Sequence, residues 1–225
     1  MRPAVATLLT VALATTLMGA SCREETPAMK KANLGRAFTE RGAHDRAIKT
    51  LQEAVKLDPE LVMSYELLGQ ALEAAGRYDE ALDAYRETVR REPTRDTAYA
   101  SLGCLLLSAE GAVPDAEAAL NRAIGLNQAF PRAQACLGAI YLDQRQFDKA
   151  VEMSQAAVTM DPQNVQAHLN LGIAYAETGD VERARAEIRK TIQFARGNEQ
   201  LISQARVYLE ALEHPEVDGG PAAGI

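Results

Sequence analysis

"YASLGCLLLSAEGAVPDAEAAL", Tyr99 to Leu120, sets a glycine inside a run that otherwise reads as a buried helix and follows it with Cys104, Leu105, Leu106 and Leu107. One helix face cannot use that much apolar surface. The pair Leu102-Gly103 has counterparts at Leu34-Gly35, Leu68-Gly69, Leu137-Gly138 and Leu171-Gly172, spaced by 34, 34, 35 and 34 residues. A second marker, Ala47, Ala81, Ala116, Ala150 and Ala184, keeps the same order, and between the two stand Gly42, Gly76, Gly111, Arg145 and Gly179. Pro59, Pro93 and Pro162 close three of the units. A fixed period of this length is the signature of a repeat array. Each unit reads as a helix, a turn with glycine at the C-terminal cap, a second helix and a proline that stops it.

The pattern resembles the tetratricopeptide repeat. In the second unit it stands as Tyr65, Leu68, Gly69, Leu72, Ala81, Tyr85, Thr88 and Pro93, and in the fifth as His168, Leu171, Gly172, Tyr175, Ala184, Ile188 and Thr191. The resemblance implies an all-α fold, a right-handed superhelical solenoid of about five helix-turn-helix repeats near 28–61, 62–95, 96–130, 131–164 and 165–197. "NEQLISQARVYLEALE", Asn198 to Glu213, places Leu201, Ala205, Leu209 and Leu212 on one stripe and is expected to cap the exposed end of the stack. Residues 214–225, rich in Gly, Pro and small residues, have little to bury and are expected to be disordered.

A helical Gly costs up to ~1 kcal/mol against Ala. Gly103 is tolerated because a Gly on the first helix facing an Ala on the second lets the two pack closely. The extra residue of the third unit is expected in the turn Gly111-Ala112-Val113-Pro114, with Pro114 at the first position of the second helix.

Composition narrows the function. The chain has 225 residues, 47% of them hydrophobic but only 5% aromatic, with a formal charge of −7. It carries no basic footprint for nucleic acid. "MRPAVATLLTVALATTLMGASC" places Arg2 before an uncharged apolar stretch that ends in Gly19, Ala20 and Ser21, which reads as an export signal over residues 1–21. The small residues at its end favour cleavage over a bilayer span. Cys22 follows directly and resembles the acylated cysteine of bacterial lipoproteins, although Gly19 stands where such signals usually carry Leu. Residues 22–27 are then expected to form anchor and linker, and by resemblance to the sorting rule of enteric lipoproteins Arg23, rather than Asp, after the cysteine implies the outer membrane, periplasmic face.

Nothing in the sequence points to catalysis. His44, His168 and His214 are too scattered for a metal or catalytic cluster, and His168 replaces the aromatic packing residue of its repeat, as a satisfied core imidazole. No Cys-x-x-Cys, nucleotide-binding Gly-rich loop or His-Glu-x-x-His occurs, so neither cofactor nor metal is expected. Cys104 and Cys136 lie on the first helices of adjacent repeats. Axes of packed helices stand roughly 8–10 Å apart, against the ~7 Å between Cα atoms that a disulfide allows, so two reduced, buried thiols are expected.

By resemblance, the concave groove of such arrays is lined by positions 2, 5, 9, 12 and 13 of each first helix. Carried over, these give Arg36, Gln70 and Glu73 in a polar N-terminal half. In the C-terminal half they give Cys104, Leu107, Ala139, Leu142, Leu169 and Ile173, an apolar strip suited to an amphipathic helix or peptide. Lys and Asn, which chaperone-binding members carry at positions 5 and 9 of their first repeat, are replaced by Ala32 and Arg36. The expected function is a membrane-anchored scaffold for an envelope protein. Its layout is similar to the lipoprotein pilotins that assist assembly of type IV pilus secretins. The alternative is an adaptor that presents substrate to a cell-envelope hydrolase.

Overall fold

The computed structural model describes residues 25–213, an unbroken series of helices. Five pairs follow in order: α1 (Pro27–Glu40) with α2 (His44–Leu57), α3 (Val62–Ala74) with α4 (Tyr78–Arg91), α5 (Asp96–Leu105) with α6 (Val113–Leu126), α7 (Pro131–Asp143) with α8 (Phe147–Met160), and α9 (Val165–Glu177) with α10 (Val181–Phe194). A single helix, α11 (Glu199–Glu213), closes the series. No strand occurs among the described residues. The expected export signal over 1–21, Cys22 and residues 214–225, expected to be disordered, lie outside them.

The two sequence markers meet at the helix crossings. A Cβ placed on Gly103 would stand 2.6 Å from Leu120 Cγ, one on Gly69 2.7 Å from the Tyr85 ring, and one on Gly172 2.5 Å from Ile188 Cδ1. No real Cβ sits that close, so the close approach of each pair depends on the glycine, as the sequence implied. On the facing helices Ala47, Ala81, Ala116, Ala150 and Ala184 are all completely buried. Each second helix also packs on the first helix of the next pair, which covers the first helices on two sides and builds the superhelical solenoid. α11 buries Ala205 and Leu212 on the last pair, where Arg185 donates to the Leu212 carbonyl at 2.6 Å.

The apolar core is interrupted between the fourth and fifth pairs. One buried cluster runs from Ala32 to Ile140, a second, with Val151 and Val158 of α8 packed against it, is built around Leu169 and Leu171, and a small third joins Ala135, Ala157 and Ala167. Where the other pairs place Leu51, Tyr85, Leu120 or Ile188 over the glycine, the fourth places the fully buried Ser154. The space left by the smaller side chain is taken up by Asn170 of α9, whose Nδ2 donates to the Ala135 carbonyl at 2.8 Å. Polar contacts of Ser154 and Asn170 therefore lie beside the small alanine cluster between the two larger apolar blocks.

The extra residue of the third repeat is not in the turn after Gly111. It widens the last turn of the first helix into a π-turn, Leu106–Glu110, whose C-cap Gly111 returns its N–H to the Leu106 carbonyl at φ +61°. The spacing carried this signal: Gly103 to Gly111 is one residue longer than Gly69 to Gly76, whereas Gly111 to Ala116 matches Gly76 to Ala81. α6 begins at Val113, with Pro114 its second residue.

Candidate peptide-binding groove

The first helices form the inner wall of the solenoid. α1 lies against α3, α5 against α7, and α7 against α9, but α3 and α5 draw apart. There a cleft of about 580 Å³ opens, lined by Gln70, Glu73 and Ala74 of α3, Leu105 and Ser108 of the third repeat, Tyr78 of α4 and Arg132 of α7. The π-turn forms part of its wall, and insertions of this type recur where a helix is reshaped for binding.

Two polar networks hold the cleft. Glu73 accepts from the Tyr85 hydroxyl at 2.8 Å and from Arg132 Nη2 at 2.5 Å. The second contact spans the groove from the second repeat to the fourth. Burial and the Glu73 carboxylate push the Tyr85 phenol far above its ordinary pKa, so it stays a donor. At the base of the same helices the buried Glu66 accepts from Arg95 Nε at 2.8 Å and from the Thr97 hydroxyl. A buried carboxylate needs such partners, because unpaired charge in the interior is costly.

Cys104 and Cys136 are joined in a disulfide, with Cα atoms 5.7 Å apart. The expectation of two reduced thiols was wrong for a geometric reason. Cα atoms ride on a cylinder of radius ~2.3 Å, so residues that face each other across two packed helices come several ångströms closer than the axes. The bond ties α5 to α7 beside the cleft.

The groove residues expected from the sequence fall into three groups. Of the three expected in the polar half, Gln70 and Glu73 sit in the cleft, while Arg36 on α1 is exposed and donates to Asn33 at 3.0 Å. Leu107, Ala139, Leu142 and Ile173 are half-buried and reach solvent along the inner wall. Cys104, bonded to Cys136, is 7% exposed, and Leu169, part of the second core block, is 3% exposed. The apolar strip is thus narrower than the sequence suggested, because position 5 of the fifth repeat is turned into the core. Arg132, at position 2 of its helix, and Ala74 and Ser108, at position 13, join the cleft without having been singled out. Their place in the repeat register was the available signal.

The histidines and carboxylates build no catalytic arrangement among the described residues. His168 is 3% exposed and both ring nitrogens meet acceptors, Glu187 Oε2 at 2.6 Å and the Pro162 carbonyl at 3.1 Å. Its position is that of a core imidazole. No cluster of three or more His, Cys, Asp or Glu able to hold a metal occurs among the described residues, and none of their helices is long and apolar enough to cross a membrane.

Comparison with known proteins places this geometry. A family model described as "Tetratricopeptide repeat" matches residues 66–134 and 137–199, and one described as "TPR repeat" matches 35–76. Among solved structures the chain resembles MamA, at 25% identity over 77% of this chain and 94% of that one, with a TM-score of 0.61. It also resembles TTC0263, a thermophilic repeat protein of Thermus thermophilus, at 19% identity over 81% and 99% with a TM-score of 0.64. A third neighbour is YrrB, described as having an unusual peptide-binding site, at 23% identity over 90% and 100% with a TM-score of 0.60. A comparison with curated protein sequences finds no match.

Proposed function

We propose that this chain, which belongs to the tetratricopeptide-repeat family, is an exported, membrane-anchored scaffold that holds a peptide or amphipathic helix of an envelope protein in its inner groove. The observation that carries the reading is the cleft between α3 and α5, taken with the half-buried Leu107, Ala139, Leu142 and Ile173 on the first helices of the third to fifth repeats. An amphipathic helix repeats its apolar anchors every three to four residues and can meet successive repeats with one face. YrrB, a neighbour of the same fold, is described as binding peptide. Assistance to a complex such as a pilus secretin system is the specific form this role takes in our reading.

The Cys104–Cys136 disulfide supports export, because such bonds persist in oxidising compartments and are rare in the cytosol. Acylation at Cys22 would then anchor the chain, at the outer membrane in a Gram-negative cell. Partners are recovered from solubilised membranes on the wild-type protein and on a Leu107→Glu, Ile173→Glu double mutant, with circular dichroism of both. The expected result is unchanged helicity and lost capture. Lost helicity would place these residues in the core, and unchanged capture would move the partner off the groove. Mass spectrometry of the membrane fraction tests the anchor: an unmodified Cys22, or a Cys22→Ala chain that stays with membranes, removes it.

A further inference from the structure

The end of the array nearest the chain's N-terminus differs from the rest in both charge and cover. Leu34 is 48% exposed, whereas its counterpart Leu68 is half-buried and Leu102, Leu137 and Leu171 are 7%, 1% and 0% exposed. In those repeats another helix pair precedes the leucine. At Leu34 none does among the described residues. The opposite end is closed by α11.

Charge separates along the same axis. Residues 25–57 carry seven Lys and Arg against four Asp and Glu, while residues 58–213 carry fifteen against twenty-four. Two of the basic groups sit beside the exposed leucine. Lys30 and Lys31 lie one turn before Leu34 on α1, and Lys31 Nζ reaches Glu53 of α2 at 2.5 Å. Glu53 is held below its ordinary carboxylate pKa by the hydrogen bond and charge of Lys31 and by the charges of Lys49 and Lys56. That one acid answers three lysines. Lys30, Lys49 and Lys56 form no ion pair among the described residues.

We infer that this basic, leucine-bearing face of the first repeat seats on an anionic phospholipid surface. The inference builds on the membrane-anchored reading, since Cys22 stands five residues before α1 and cannot hold the helix start more than about 17 Å from an acyl-anchored membrane surface. It also stands on the face itself. Lysines flanking an exposed apolar side chain are the composition of interfacial contact, where cationic groups meet headgroups and the apolar group enters the acyl boundary. A second copy stacked head to tail is disfavoured by charge. The far end, residues 181–213, carries six basic and five acidic residues and offers no negative surface to the first repeat.

The test uses the full chain with Cys22→Ser, so that acylation plays no part, and an environment-sensitive dye on Leu34→Cys or, at the opposite end, on the exposed Val207→Cys. Cys104 and Cys136 are bonded and do not label. Each protein is titrated with phosphatidylglycerol vesicles and with phosphatidylcholine vesicles. The expected result is a blue shift at position 34 with the anionic vesicles alone, no shift at 207, and reversal by salt. Lys30→Gln with Lys49→Gln should weaken binding by about 25-fold, at roughly 5-fold for each charge removed. No shift at 34 refutes the face. An equal shift with both lipids means that the apolar N-terminal segment partitions by itself, and a concentration-dependent shift without vesicles means that a second copy covers Leu34; either result overturns the inference. The anchor stands or falls separately, by the state of Cys22 in membranes.

Discussion

Removing the Cys104–Cys136 bond should destabilise the array without redirecting its fold. The two cysteines are 32 residues apart, nearly one whole repeat. In the chain-entropy treatment, opening a loop of that length frees about 3.7 kcal/mol of unfolded-state entropy at 25 °C, several hundred-fold in the unfolding equilibrium. Engineered bonds often deliver less because they distort the native state. This one joins residues already buried or half-buried between packed helices, so the loss should approach the full amount. The assay is guanidinium unfolding followed by circular dichroism, for wild type with and without reductant and for Cys104→Ala, Cys136→Ala. Reduced wild type and the double mutant should unfold at similar, lower denaturant concentrations. Because neighbouring repeats stabilise one another, the transition should also broaden as the third and fourth repeats uncouple. A thiol titration that finds both cysteines free in protein purified from the cell envelope, or a midpoint that reductant leaves in place, would refute the argument. The first result would also remove the support this bond gives to export.

Local geometry at two other positions sets expectations of its own. Arg145 occupies the turn position held elsewhere by glycine, at φ +57°. A non-glycine residue there costs roughly 1–2 kcal/mol. Glycine returns about 0.5–1 kcal/mol of that through its freer unfolded chain, and the surface pair of Arg145 with Glu177 at 3.9 Å contributes little. Arg145→Gly should therefore raise stability by ~0.5–1 kcal/mol in denaturant unfolding, and a lower midpoint would contradict the turn assignment. At the fifth repeat, burial alone would raise the Glu187 carboxyl, but hydrogen bonds from His168 and Lys190 outweigh it and hold the group below its ordinary value. A depressed carboxylate adds stability that is complete above its unfolded pKa and is lost as pH falls through the folded one. The stability gap between wild type and Glu187→Gln should be widest at neutral pH and close on acidification below the carboxylate range; a gap that grows in acid would reverse the sign.

The repeat unit is legible in the order of residues alone. Gly103 and Ala116, like Gly69 and Ala81, mark a crossing between helices adjacent in the chain, and such crossings depend on side-chain size at fixed offsets. That information is local and it recurs five times, so the helix pairs, the glycine-capped turns and the stripe of α11 could all be read. The one-residue excess between Gly103 and Gly111 was equally legible, and it marked a π-turn where a longer surface turn had been expected. Relations between repeats were settled only in three dimensions. The Cys104–Cys136 bond, the reach of Arg132 to Glu73 across 59 residues, the burial of Leu169 and the parting of α3 from α5 all depend on how far each repeat is rotated on its neighbour. That rotation sums many small packing differences, among them Ser154 in place of a large apolar residue and Asn170 beside it. A periodic pattern records what the repeats share, and the groove is made by the few positions at which they differ.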